Sequence, residues 1–304
     1  MTIDAETLAK YEKAGRIAAR ALAHGASLVK EGAVVRDVLD EVEAFIEKRG
    51  GKPAFPAQAS IDETAAHSCP LEDDMTVFTR GQLVKLDVGV HVDGYVGDNA
   101  VTVSLAPQNK EHERLIEASR AARDAAIKIA KAGVTPHELG AAIEREIVKR
   151  GFQPIRNLSG HGLGRFQIHT APSIPNYANH DDRPLLEGMV VAVEPFATTG
   201  SGSVRNGSDA TLFALAANKP VRSPYAREAL DVIRRWQGLP FTTRWLSAEL
   251  GAGKTALALK QLKLAGVLHE YPPLVEQARG LVSQSEHTIL IMKDGARILT
   301  TDEE

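Results

Sequence analysis

Val84 to Val103 reads VKLDVGVHVDGYVGDNAVTV, two apolar-rich runs joined by Asp93-Gly94. A two-residue Asp-Gly link between such runs is a strong hairpin signal. Folding the stretch about that turn sets Val92 opposite Tyr95, Val90 opposite Gly97, Gly89 opposite Asp98 and Asp87 opposite Ala100. Asp87 and Asp98 then sit diagonally on one face, about 7–8 Å apart, a gap that side chains can close. Gly89 is expected to leave the Asp98 carboxylate room. Two acids on one buried face repel each other unless they share a proton or hold cations. Metal binding or acid/base work is the functional reading, and the plain alternative turns one of them toward solvent. Further ligands must come from elsewhere in the chain.

With 304 residues the chain can bury a sizeable core, as one large domain or one domain with an inserted piece. Charged residues make up 25% and apolar ones 43%, the balance of an ordinary globular protein. A formal net charge of -3 argues against nucleic acid, DNA included, as the main partner. Cys69 is the only cysteine and the N-terminus lacks the apolar core of a secretory signal, so the expected compartment is the cytoplasm. No run approaches the roughly 18 apolar residues that a membrane span needs.

Apolar spacing predicts helices over about Ala5–Val29 and Val35–Arg49, the second stopping at Gly50-Gly51. Lys52 to Pro70 reads as loop by its prolines. The order then repeats. A shift of 101 residues aligns Lys30 with Lys131, Gly32 with Gly133, Val42 with Ile143, Ile46 with Ile147 and Lys48-Arg49-Gly50 with Lys149-Arg150-Gly151. Two helix-helix-sheet halves around a shared central site are the simplest reading; chance similarity between two helix ends is the alternative. In the second half, Asn157 to Asn176 carries His161 and His169. Gly188 to Gly200 reads as a buried strand with Glu194 near its end, where an unpaired charge is costly. Residues 218–273 change in composition and suggest three short helices and a strand pair, a winged-helix-like insertion between catalytic segments 1–217 and 274–304. Strands return from Leu281, with Glu286 among apolar neighbours. Ala248 to Thr255, AELGAGKT, fits a loose nucleotide-loop pattern, but FTTRWLS ahead of it is not the buried strand that such a loop needs.

Asp87, Asp98, His161, Glu194 and Glu286 are therefore isolated polar groups in sheet-like sequence. Four carboxylates and one imidazole suit two divalent cations of the harder first-row kind, not a thiolate-bound structural zinc. Any one of them alone is more readily a satisfied core or surface residue; the five together point to a site.

The segments PAFPAQASIDETAAH (53–67), KLDVGVHVDG (85–94), NLSGH (157–161), IHTAPSIPN (168–176), VAVEPFAT (191–198), RWL (244–246), YPPLVE (271–276) and SEHTI (285–289) resemble type 2 methionine aminopeptidases of the archaeal style across nearly the whole chain. The resemblance implies an α+β pita-bread fold of two pseudo-symmetric halves, an inserted helical subdomain and two divalent cations, Co, Mn, Fe or Zn. It implies that Asp87 chelates one metal, that His161 binds the other with Glu194, and that Asp98 and Glu286 bridge the pair. Bound cations of this kind activate a water and polarise the scissile carbonyl. Glu194 would serve also as general base, His169 would steady charge on the carbonyl oxygen and His67 would position the first peptide group. Phe55, Ile168, Phe196 and Tyr271 align with the family's pocket wall around the methionine thioether. The activity implied is removal of the N-terminal methionine from peptides or nascent proteins with a small second residue, by a monomer, with the ribosome a partner to consider. Ser68-Cys69, Asn99 and Ser285 depart from the family's pattern, which bears on pocket shape and on the neighbours of the ligands. Two other readings stand beside this one. A proline-specific peptidase shares the fold and ligands but usually carries an additional N-terminal domain, whereas 86 residues precede Asp87 here. A non-catalytic relative would have lost ligands.

Overall fold

The structure, a computed structural model, describes residues 3–217 and 219–302. Asp93 and Gly94 adopt φ of 52° and 90° and close a hairpin between strands Leu83–Val92 and Tyr95–Ser104. Gly89 pairs with Asp98 and Asp87 with Ala100, the register that the turn dictates. Helices α1 (Ala5–Leu28) and α2 (Val35–Lys48) pack on one face, where Ile17, Ala21, Leu39, Val42 and Ile46 meet Val84, Leu86, Val88 and Val90. Strand alternation then sends Lys85, Asp87 and Gly89 to the other face.

The second half repeats this plan. Helix α3 (Lys110–Ile129) is followed by α4 (Pro136–Lys149), which starts on a capping box between Thr135 and Glu138. Gly32 and Gly133 take φ of 84° and 92°, and their N–H groups donate to the Phe78 and Leu185 carbonyls at 2.8 and 2.9 Å. The short strands Lys52–Pro53 and Gln153–Pro154 begin 101 residues apart. The matched glycines are thus matched backbone positions, each needing a left-handed turn after a helix. The halves are stitched together at the hairpin. Asp98 N donates to Thr288 Oγ1 at 2.8 Å, Gln284 N to Thr102 Oγ1 at 2.9 Å and Glu286 N to the Ala100 carbonyl at 3.0 Å.

Two expectations need correction. The stretch from Lys52 to Pro70 is not plain loop: Gln58–Ile61 pairs with the hairpin, Gln58 opposite Asp87, and Thr64–Ala66 forms a second short strand. The prolines misled because Pro53 and Pro56 fall at or before strand ends, where a missing N–H does no harm. Helices α5 (Pro224–Ile233), α6 (Thr243–Leu250) and α7 (Ala252–Leu264) form where short helices were expected, around a core of Ala229, Ile233, Phe241, Leu246, Leu262 and Val267. Leu268–Tyr271, however, pairs with Leu212–Leu215, a strand that precedes the helices, and not with a strand that follows it. The boundary expected at Asn218 lies outside the described residues. AELGAGKT spans the turn between α6 and α7, so no strand feeds it and the nucleotide-loop reading fails.

Glu276 ties the turn at Ser201-Gly202 to the one at Ala278–Gly280. Fully buried, its carboxylate accepts from Ser201 N and Oγ, Gly202 N, Ala278 N and Gly280 N. Burial raises its pKa, but these donors outweigh that and hold it below the usual 4.5. Its contribution is therefore present above the unfolded pKa and lost as pH falls through the lower, folded one. Glu276→Ala strands five donors and should cost about 3 kcal/mol, read as a fall in urea midpoint that narrows below pH 4.

Candidate metal centre

Backbone register brings the acids together. Val193 pairs with His287 and Phe196 with Gln284, so across the Glu194-Pro195 step Glu194 stands opposite Glu286. Pro195 has no N–H and ends the strand Val190–Val193, which turns Glu194 out of the ladder. Asp87 and Asp98 approach from the hairpin, and His161 from strand Ser159–Gly164. All five line one cavity of ≈ 220 Å³. One ligand atom each of Asp98, His161 and Glu286 lie within 4.8 Å of one another.

The donor set fits divalent cations. Asp87 Oδ1, Asp98 Oδ1 and Glu286 Oε2 are buried without a hydrogen-bond partner. His161 Nδ1 lies 3.3 Å from the Gly162 carbonyl, which can only accept, so Nδ1 carries the proton of the neutral ring and Nε2 a lone pair. That Nε2 is 3.4 Å from Glu194 Oε1 and 4.0 Å from Asp98 Oδ2. A lone pair set against carboxylate oxygens is the arrangement a cation resolves.

Electrostatics say the same. Burial pushes Asp87 up to about 7. Burial first, then neighbouring carboxylates, raise Asp98, Glu194 and Glu286 well above their ordinary range. Burial and nearby His169 lower His161 to about 3, leaving it neutral and able to ligate. Such clustering of perturbed groups in a cleft marks functional sites.

Beyond the acids the cavity is lined by His67, His169, Phe55, Ile168, Phe196 and Tyr271, so each position singled out in the sequence arrives at one place. His169 packs edge-on to His161 with centroids 4.6 Å apart, and His67 to Tyr271 at 5.4 Å. His67 adopts φ 65°, uncommon for a side chain of its size, and Gln58 Oε1 holds its N–H at 2.9 Å. Its Nδ1 is buried and unpartnered; burial and His169 bring its pKa to about 4. Gly89, opposite Asp98, makes room first of all for the Phe55 ring. A Cβ there would lie 2.2 Å from Phe55 Cε1, so the glycine admits the Phe55 ring. Gly89→Ala should therefore displace that ring at a cost of about 1–3 kcal/mol, seen as a lower melting temperature together with a higher KM.

Residues 9–211 match the profile of metallopeptidase family M24. The chain belongs to that family. Methionine aminopeptidases are among its full-length relatives: that of Pyrococcus horikoshii is 44% identical over 96% of this chain and 98% of its own, and that of Archaeoglobus fulgidus is 43% identical over 98% and 100%. Among solved structures, the methionine aminopeptidase of Thermotoga maritima superposes with a TM-score of 0.74 at 25% identity over 99% of both chains. Prolidase from Pyrococcus furiosus, at 22% identity and a TM-score of 0.63 over all of this chain and 66% of its own, shares the fold. The chain is thus an M24 metallopeptidase of the methionine aminopeptidase branch with the pita-bread fold.

Against that family the departures from pattern fall away from the cavity. With its amide turned to donate to the Val88 carbonyl at 2.9 Å, Asn99 also accepts from Ala19 N at 3.3 Å, on the α1 side of the hairpin. Ser285 accepts from Arg123 Nη1 at 2.9 Å. Cys69 is buried 3.5 Å from Thr242 Oγ1, and burial pushes its thiol up to about 11, so it is no exposed nucleophile. Two amides were missed. Gln58 stands opposite Asp87, and Gln284 Nε2 donates to Glu194 Oε2 at 3.3 Å. Period two along the strand from Glu286 would have found Gln284; Gln58 carried no such signal.

Proposed function

We propose that this M24 metallopeptidase removes the N-terminal methionine from peptides and nascent proteins, preferring a small second residue, with two divalent cations held by Asp87, Asp98, His161, Glu194 and Glu286. One observation carries the reading: four carboxylates, Asp98 and Glu286 buried and Asp87 and Glu194 half-buried, share a cavity with a neutral imidazole and an apolar wall, and three carboxylate oxygens lack any partner. Four negative charges are what two divalent cations balance, which favours two ions over one. Cations bound there would activate a water and polarise the scissile carbonyl.

The chain's own groups do the remainder. Glu194, its Oε2 oriented by Gln284, takes a proton from the attacking water and gives it to the leaving amine. His169, neutral because burial lowers its pKa, donates an N–H to the carbonyl oxygen as charge develops. The unpartnered His67 Nδ1 meets the first peptide group. Phe55, Ile168, Phe196 and Tyr271 enclose the thioether, which gains from aromatic contacts. By this reading segments 1–217 and 274–304 form the catalytic domain and 218–273 an insertion, supported by the separate core around Phe241 and Leu262. A monomer acting in the cytoplasm on chains leaving the ribosome fits such a substrate. Among the described residues no helix is long and apolar enough to cross a membrane.

The test compares methionine release from Met-Ala-Ser with release of the first residue from Leu-Pro peptides, with and without chelator. Chelation should abolish the first activity and Mn or Co should restore it. Cleavage that survives chelation overturns the metal reading, and preference for Leu-Pro substrates would establish the proline peptidase instead.

A further inference from the structure

The two sides of the side-chain pocket come from different parts of the chain. Phe55 and His67 belong to the segment that runs beside the hairpin, whereas Leu212 and Tyr271 belong to the sheet that carries α5 to α7 and Pro240 immediately precedes its strand Phe241–Thr242. Pocket width is therefore set by whatever joins those two parts.

One join is a buried carboxylate. Glu43, on α2, receives Arg244 Nη1 at 3.1 Å and Nη2 at 2.9 Å, and Trp245 Nε1 at 2.8 Å, all from α6. Arg244 Nη1 also reaches Asp40. On its other side Glu43 Oε1 accepts from Ala57 N at 3.1 Å. Ala57 lies two residues from Phe55 and next to Gln58, whose Oε1 holds His67 N at 2.9 Å. Arg244 lies four residues from Pro240. A second pair of contacts runs parallel, with Thr211 Oγ1 donating to the Cys69 carbonyl at 2.7 Å and Cys69 Sγ 3.5 Å from Thr242 Oγ1. Both Glu43 and Arg244 are more than nine-tenths buried, where a forked guanidinium contact fixes distance and angle better than a point charge does. Breaking such a pair leaves a buried charge unanswered and lets the two parts separate.

We propose that Arg244 is a positioning residue that, through Glu43, sets the width of the pocket between Phe55 and Pro240 and so selects the first side chain. The role rests on the aminopeptidase reading above. An unbranched side chain fits the pocket at its native width; a looser one admits branched or bulkier groups.

The test measures kcat/KM for Met-Ala-Ser, Leu-Ala-Ser and Phe-Ala-Ser with metal-loaded wild type, Arg244→Met, Arg244→Lys and Trp245→Phe. The Met-to-Leu ratio should fall about tenfold in Arg244→Met, the scale on which pockets discriminate neighbouring apolar side chains. Most of that loss should lie in KM for the methionine substrate, with kcat within about threefold of wild type. Arg244→Lys should recover part of the ratio. Trp245→Phe, which removes one donor and keeps the ring packing, should lower it roughly threefold. Metal content should be the same throughout. A folded Arg244→Met with the wild-type ratio overturns the proposal, as does a kcat loss shared equally by all three substrates. Should Arg244→Met not fold, an unchanged ratio in Trp245→Phe overturns it and a reduced one sustains it. Wild type inactive on Met-Ala-Ser removes the aminopeptidase reading and this one together; wild type active with flat ratios removes this one alone.

Discussion

Glu286→Gln is expected to lower kcat/KM for methionine release by roughly a thousandfold, a loss of about 4 kcal/mol in transition-state stabilisation, while raising the melting temperature of the metal-free protein. The two effects share one cause. Glu286 is held at the centre by its N–H to the Ala100 carbonyl and by its place opposite Glu194. Its carboxyl is forced upward by burial and then by Asp98, Glu194 and Asp87. With cations present, that charge is what the site needs. Without them it is a buried repulsion, which the neutral and isosteric amide relieves. A gain of roughly 2–5 °C at pH 8 with chelator follows for a chain of this size. Added Mn or Co should stabilise wild type by binding only the folded form and the variant much less. Differential scanning fluorimetry beside the peptide assay decides the matter. A variant that keeps its activity, or that melts lower than wild type without metal, would take Glu286 out of the metal centre.

The contrast between Glu286 and its neighbours explains what the sequence could reveal. Asp87, Asp98, Glu194 and Glu286 were legible because a charge in an apolar run breaks the hydropathy pattern, and only paired or metal-bound charges survive there. The hairpin was legible to the residue because Asp93-Gly94 leaves the register no freedom. The repeat was legible because Gly32 and Gly133 both need positive φ, a demand that outlasts changes around them. Gln58 and Gln284 left no comparable trace. A neutral amide in a strand violates nothing, and its value lies in one partner, His67 N for the first and Glu194 for the second. The contact of Gly89 with Phe55 left no sequence trace because register reports only the cross-strand neighbour, whereas Phe55 reaches it from outside the hairpin. The pairing of Leu212–Leu215 with Leu268–Tyr271 spans the whole of α5 to α7, and no local signal reports contacts of that separation.

In the chelated protein, stability is expected to fall as pH rises from 6.5 to 8.5, contrary to the usual behaviour of ion-paired carboxylates. The sign follows from the direction of each shift. A carboxyl whose folded pKa is raised contributes stability that is complete below its unfolded value, 3.8 for Asp and 4.5 for Glu, and is lost as pH climbs through the folded value. Asp87 titrates at about 7 in the fold, and Asp98, Glu194 and Glu286 are raised well above their ordinary values, so the loss extends past neutrality. The histidines act in the opposite sense over a lower range. Burial lowers His161 to about 3 and His67, His91 and His287 to about 4 from 6.5, so each opposes the fall by about half a proton at pH 6.5, where the unfolded imidazole is half protonated, and this opposition fades by about pH 7.5, leaving the carboxyls to dominate above it. Buried Lys85, brought by burial to about 7, opposes the trend above pH 7 with one proton against those of the carboxyls still titrating. Each proton held in excess by the folded state tilts stability by about 1.4 kcal/mol per pH unit, so a fall of roughly 5 °C or more in melting temperature across the window is expected. Saturating Mn or Co should remove the slope or reverse it, because cations bind the deprotonated ligands and bind them better as pH rises. Glu286→Gln should flatten the chelated profile by taking away one of the raised carboxyls. Melting curves at pH 6.5, 7.5 and 8.5, with chelator and with metal, test all three statements. A chelated wild type equally stable at both ends of that range would mean that the four acids do not repel, and so do not converge as the fold places them.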